Sequence, residues 1–105
     1  MTTNKTTLSI VGGAALTLLM ATYPAAAYSG QELAPQAKVS ITEARAIALK
    51  AHPGKITDEE LEKERGGTGL RYSFDIKRGS VTQEVGVDAR SGKVLENKKE
   101  GPPPD

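Results

Sequence analysis

The chain has no cysteine and a single histidine, His52, and these two shortages remove several chemistries at once. Without a thiol there is no disulfide, no cysteine to carry a lipoprotein's lipid and no cysteine–histidine catalysis. One imidazole cannot build a multi-histidine metal site. His52 stands beside Pro53 at a predicted helix exit, where it caps helix carbonyls or meets solvent. Ser29, Ser40, Ser73, Ser80 and Ser91 fall in lead-in, capping, strand or turn positions, none of them a nucleophile elbow. The sequence therefore reads as that of a non-enzyme without a cofactor. Aromatics are as scarce: beyond residue 27 there are only Tyr28, Tyr72 and Phe74. The last two alternate onto an apolar strand face, so no stacking platform for nucleic acid remains. Charge of either sign is not in surplus. Once Lys5 is set aside, the 14 Lys plus Arg fall to 13, equal to the 13 Asp plus Glu. A balanced surface exerts no long-range pull on nucleic acid or anionic lipid.

The longest apolar run, Leu8 to Met20, is short as well. Thirteen residues fall below the roughly twenty that span a bilayer, and Gly12-Gly13 and Pro24 weaken the run as a helix, which argues against a retained anchor. The run follows Lys5 and precedes Ala25-Ala26-Ala27, and small residues at Ala25 and Ala27 fit the A-x-A site of a signal peptide. Residues 1–27 are expected to be a cleaved export signal, leaving Tyr28 as the first residue of a periplasmic or secreted protein with no membrane attachment. Of 105 residues, 78 would remain, enough for one small domain. At this size folding buries only about 60% of the unfolded surface, so the apolar core must suffice without covalent help.

Residues 28–37 show no periodicity and read as a flexible lead-in. At Ser40 a capping box opens, the Ser40 hydroxyl facing the Glu43 amide and the Glu43 carboxylate reaching back. The helix it begins runs to about Ala51, with Ile41, Ala44, Ile47, Ala48 and Ala51 in one stripe and Glu43, Arg45 and Lys50 toward solvent. Pro53 and Gly54 stop it. Residues 56–65 are ambiguous. Thr57-Asp58-Glu59-Glu60 resembles a second capping box, whereas a strand ending at Gly66-Gly67-Thr68-Gly69 would pair with the segment that follows. That segment is legible: Leu70, Tyr72, Phe74 and Ile76 alternate with Arg71, Ser73, Asp75 and Lys77, and Val81, Val85 and Val87 continue the apolar set. A two-residue loop at Arg78-Gly79 would set Ile76 against Val81, Tyr72 against Val85 and Leu70 against Val87. The other face would pair Arg71 with Gly86, Ser73 with Glu84 and Asp75 with Thr82. A loop over Ala89 to Gly92 would bring Val94 opposite Val87, with Asp88 bonding nearby backbone and Gly92 supplying positive φ. Residues 99–105, rich in proline, read as a disordered tail.

The run Val87-Asp88-Ala89-Arg90-Ser91-Gly92-Lys93-Val94-Leu95 resembles the closing V-D-A-x-[ST]-G-x-V-L turn of PepSY domains. The Tyr-x-Phe-x-Ile strand before it, the helix Ile41 to Leu49 and the break His52-Pro53-Gly54 fit the same family in the same order. The resemblance spans residues 38–98 and implies a strand over 56–65. Glu59 departs from it, standing where the family usually has an aliphatic residue. The implied architecture is α+β, one helix packed on an antiparallel sheet of three to four strands. The implied function is that of an exported, non-catalytic binding module that restrains a protease or modulates an envelope protein.

A partner would meet Arg71 and Glu84 on the polar sheet face, or the strand edges, at Ile56 to Glu64 (with Glu60 and Glu62) or at Lys93 to Lys98. The alternative is a small-ligand or divalent-cation protein using the acidic strand 58–64. Alternate carboxylates of a strand point to opposite faces, and Lys55, Lys63 and Arg65 neutralise the run, so the residues favour a solvated edge.

Overall fold

The computed structural model describes residues 28–101. The proposed export signal, residues 1–27, and the last residues of the proline tail lie outside them. Helix α1 (Ile41–Ala51) packs on one face of a four-stranded antiparallel meander, β1 (Lys55–Lys63), β2 (Leu70–Arg78), β3 (Val81–Asp88) and β4 (Val94–Lys99), in spatial order β1-β2-β3-β4. The fold is α+β, as the residue pattern and the family resemblance both indicate.

The capping box forms as expected. Ser40 Oγ accepts from the Glu43 amide at 3.1 Å, and the Glu43 carboxylate accepts from the Ser40 amide at 2.9 Å. These bonds to Ser40 hold the Glu43 carboxyl below the ordinary range. Ile41, Ala44 and Ala48 are buried against Tyr72, Phe74, Ile76, Val85, Val87, Leu70 and Leu61. Small alanine side chains let the helix lie close on the sheet, while Ile47 is only partly covered and Ala51 is exposed.

Four expectations are corrected. The β2–β3 loop is Gly79-Ser80 rather than Arg78-Gly79, which moves the register by two: Tyr72 pairs with Val87, Phe74 with Val85, Ile76 with Gln83 and Arg78 with Val81. On the other face Arg71 pairs with Asp88, Ser73 with Gly86 and Asp75 with Glu84. The cause is the turn. Tight hairpin turns need positive φ at their first central residue; Gly79 takes it at 65°, where Arg78 would be strained. A shift of two keeps every side chain on its face, so the inward and outward sets survive. Second, Arg45 is 4% exposed rather than solvated. Third, the lead-in is structured: Gln31–Gln36 form a 3-10 helix against β1, and Ser29 bridges to Glu60. The C-terminal boundary also moves, since Lys99 still pairs with Gln83 and the Glu100 amide reaches Thr82 O at 2.8 Å.

The ambiguous segment resolves as strand from Lys55 to Lys63, with Glu64 and Arg65 already in the loop. No helix starts at Thr57; that residue instead forms a bulge between Ile56 and Asp58, its hydroxyl donating to Asp75 O at 3.3 Å. The β3–β4 connection agrees with expectation, and Val87 faces Val94.

Candidate binding surfaces and the signature turn

The turn after β3 is built around one carboxylate. Asp88 is fully buried, and its side chain closes four hydrogen bonds. Oδ1 accepts from the Arg90 and Ser91 amides at 2.9 Å each and from the Thr68 hydroxyl at 2.8 Å; Oδ2 accepts from the Thr68 amide at 2.6 Å. Burial alone would raise its pKa, but the amides of Thr68, Ser91 and Arg90 and the Thr68 hydroxyl favour the charged form and hold it well below the usual carboxylate range. Arg90 ties the same loops by donating to Thr68 O at 2.8 Å and Gln36 O at 3.2 Å. The Ala89 carbonyl accepts from both Lys38 and Val39, which anchors the segment leading into α1. Gly92 adopts φ 78°, and its amide closes the turn on Asp88 O. Val87 and Ala89 are fully buried, whereas Ser91 and Lys93 are exposed and Leu95 is half-buried. The signature residues therefore join the two loops at this end of the sheet as an architectural joint. Sequence reading found the local half, the Asx-type turn, and missed Thr68, twenty residues away. The Gly-Gly-Thr-Gly loop was the available signal: Gly67 has φ 55°, and a Cβ there would fall 2.1 Å from Asp88 Oδ2.

The face of the sheet opposite α1 is covered by no described element. Three β1 carboxylates, Asp58, Glu60 and Glu62, share it with Asp75 and Glu84. Repulsion from Glu62, then desolvation and the charges of Asp58 and Glu64, raises Glu60. Desolvation first, and neighbouring carboxylates second, raises Asp75 and Glu84. Arg71 crosses this face, donating to Arg65 O at 2.9 Å and lying 3.5 Å from Glu96, and Ser73 donates to Glu62 at 2.7 Å. The structure thus gathers Arg71, Glu84, Glu60 and Glu62 on one surface. Ile56 is separated from them, because it faces α1 as a partner of Ile76. Among the described residues no group of three or more His, Asp or Glu is arranged to hold a metal ion.

Glu59 points the other way. It pairs inward with Phe74, where its carboxylate meets the Arg45 guanidinium in a two-pronged ion pair. The residue that departs from the family's aliphatic pattern is thus matched by a charge on the helix. Beside the helix entrance a cavity of about 370 Å³ is lined by Tyr28, Ala34, Val39, Ile41 and Tyr72 among others. Tyr72 donates to Val39 O at 2.7 Å, and burial, with the nearby Tyr28 and Glu43, pushes its phenol up to about 12. At the helix exit it is the His52 amide, rather than its ring, that caps Ala48 O; the ring Nε2 is buried with no hydrogen-bond partner among the described residues.

A family model described as the peptidase propeptide and YPEB domain, PepSY, matches residues 38–98. The chain belongs to the PepSY family. That match begins just before the capping box and ends in β4, so it takes in α1, the β1–β2 and β2–β3 ladders, all of the β3–β4 ladder but the Gln83–Lys99 pair, and the Asp88 joint of the PepSY domain. Comparison with curated proteins and with solved structures gave no match. Among the described residues no helix is long and apolar enough to cross a membrane. Ala25 and Ala27, read as the processing site, lie outside the described residues, while Tyr28 packs edge-on against Tyr72 with ring centroids 6.3 Å apart.

Proposed function

We propose that this PepSY protein is exported, loses residues 1–27 and acts outside the cytoplasm as a non-catalytic binding module that restrains a protease or modulates an envelope protein. The observation that carries the reading is the family match, whose description names a peptidase propeptide. PepSY domains are generally non-catalytic, and fold analogy alone leaves the partner open. The docking surface in this reading is the uncovered sheet face with Glu60, Glu62, Arg71 and Glu84. Its carboxylates crowd one another at neutral pH, and a basic segment of a partner would relieve that repulsion.

The test is recovery of a partner from an envelope extract by the segment 28–105, which contains every described element, followed by mass spectrometry and an inhibition assay on any protease recovered. The double charge reversal Glu60→Lys and Glu84→Lys should abolish capture and inhibition without lowering the melting temperature. Capture that survives the reversal would remove the face from the reading; failure to recover any envelope protein would remove the binding function itself.

A further inference from the structure

A four-stranded meander has two edges, and in this chain they differ. On β1 the outer edge is taken by the chain's own lead-in. The Ser29 amide donates to Glu59 O at 3.3 Å, the Leu61 amide donates to Ser29 O at 2.9 Å, and Gly30 lies so close that a Cβ would fall 1.9 Å from Leu61 O. On β4 no backbone group of the described residues bonds the outer side. The phase of β4 is fixed by the Glu100 amide, which bonds inward to Thr82 O. In an antiparallel ladder alternate residues bond to the same neighbour, so Lys98 and Glu96 also bond inward, opposite Glu84 and Gly86. Asn97 and Lys99 consequently turn their N–H and C=O groups outward. Val94, at the start of this edge, is 42% exposed, one of two large apolar side chains left so open among the described residues.

An open edge is an invitation to any extended chain, and lysines usually blunt it. Here Lys98 and Glu96 make the edge selective. The geometry points to a second copy of this chain as the occupant, its β4 pairing antiparallel with β4 about a two-fold axis at Asn97. In that register the two Asn97 residues exchange their outward backbone bonds, and Glu96 of each copy lies opposite Lys98 of the other. These are the non-hydrogen-bonded positions, where side chains approach most closely. Glu96 and Lys98 already touch within one chain at 2.9 Å, so the dimer closes a square of four alternating charges. Moving the register by two in either direction sets Glu96 against Glu96 or Lys98 against Lys98, which opposes it. The interface is isologous and closes on itself, joining two sheets into one of eight strands, because the lead-in on β1 prevents further growth. This inference is independent of the proposed binding function, whose polar face stays uncovered in the dimer.

The experiment is sedimentation of the 28–105 segment over a range of concentrations and at low and high salt. Wild type should show a twofold rise in mass with concentration, weakened by salt. Lys98→Glu and Glu96→Lys should each lose the dimer, the first leaving four carboxylates and the second four ammonium groups face to face. Mixed together, the two variants should recover a dimer of one copy of each, since every acidic position then meets a basic one. Thermal melts of each variant show that it is folded, and Lys98, with 66% of its side chain exposed, has little packing to lose. As a variant with no change of charge, Asn97→Pro removes an outward N–H and should also abolish the dimer. A monomer mass at every wild-type concentration, a dimer indifferent to Lys98→Glu, or variants that fail to recombine would each overturn the inference.

Discussion

Arg45 and Glu59 hold helix to sheet through a bidentate ion pair whose side chains are only 5% and 13% exposed. Arg45 interrupts the apolar stripe between Ile41 and Ala48, and Glu59 interrupts the inward face between Ile56 and Leu61. Each would be a misplaced charge without the other.

Breaking that pair should cost far more than the pair contributes. Arg45→Ala or Glu59→Ala strands an uncompensated charge against the core, and each should lower unfolding stability by about 3 kcal/mol. Replacing both by apolar residues, Arg45→Met with Glu59→Leu, should be close to neutral. Urea denaturation of the three variants measures the difference; equal losses in single and double variants would show that the two charges do not act as a unit.

The aromatic core separates packing from hydrogen bonding. Phe74→Ala and Tyr72→Ala should each cost about 3–5 kcal/mol, while Tyr72→Phe, which loses only the bond to Val39 O, should cost about 1 kcal/mol. Ser73→Ala on the outer face should stay within about 0.5 kcal/mol. Arg71→Ala should exceed that, at about 1 kcal/mol, because its half-buried guanidinium serves Arg65 O and Glu96. The same denaturation series ranks them.

Acid should act in two opposed stages. Glu60, Asp75 and Glu84 have folded pKa values raised above their ordinary ones, so their charged forms disfavour the native state at neutral pH, and protonation as pH falls through those values relieves it. Asp88 is lowered, so its contribution is present in full above the ordinary Asp value of 3.8 and is lost as pH falls from there toward its folded value. Stability should therefore peak at mildly acidic pH and drop steeply below about pH 4. Asp88→Asn should be less stable at neutral pH and show a flatter acid limb. Melting temperature against pH, for wild type and variant, checks both signs.

Two neighbouring glycines should respond differently to one methyl group. Gly67→Ala forces a Cβ to 2.1 Å from Asp88 Oδ2 and should disrupt the joint, with a loss above about 2 kcal/mol. Gly69→Ala has φ 92° but open space around it, so only backbone strain of about 1 kcal/mol is expected. Similar losses at both would place the cost in backbone conformation rather than in crowding at Asp88.

These sites also show what a sequence reveals about such a fold. Local signals were read correctly: Ser40 with Glu43 three residues on, the alternation from Leu70 to Ile76, and the Asp88–Gly92 turn all depend on spacings of a few residues. The hairpin faces were legible but its register was not, because alternation fixes parity while the choice between Arg78-Gly79 and Gly79-Ser80 rests on which residue takes positive φ. Arg45–Glu59 and Thr68–Asp88 link residues 14 and 20 apart. Arg45 alone reads as a solvated charge and Asp88 as the anchor of a purely local turn, and only the packing of the elements brings their distant partners to them. For a partner the residues offer two surfaces, face and edge. The lead-in that closes β1 went unread because Ser29 and Gly30 have no periodicity to betray a backbone contact.

The order β1-β2-β3-β4 means that every strand pairs with its immediate neighbour in the chain. Each ladder can zip from its own turn without first closing a long loop, and chains dominated by such short-range contacts fold quickly. With no cysteine to lock a partly formed state, each ladder depends on its own turn to start it. Until those ladders close, Tyr72, Phe74 and the valines of β3 lie open to other chains.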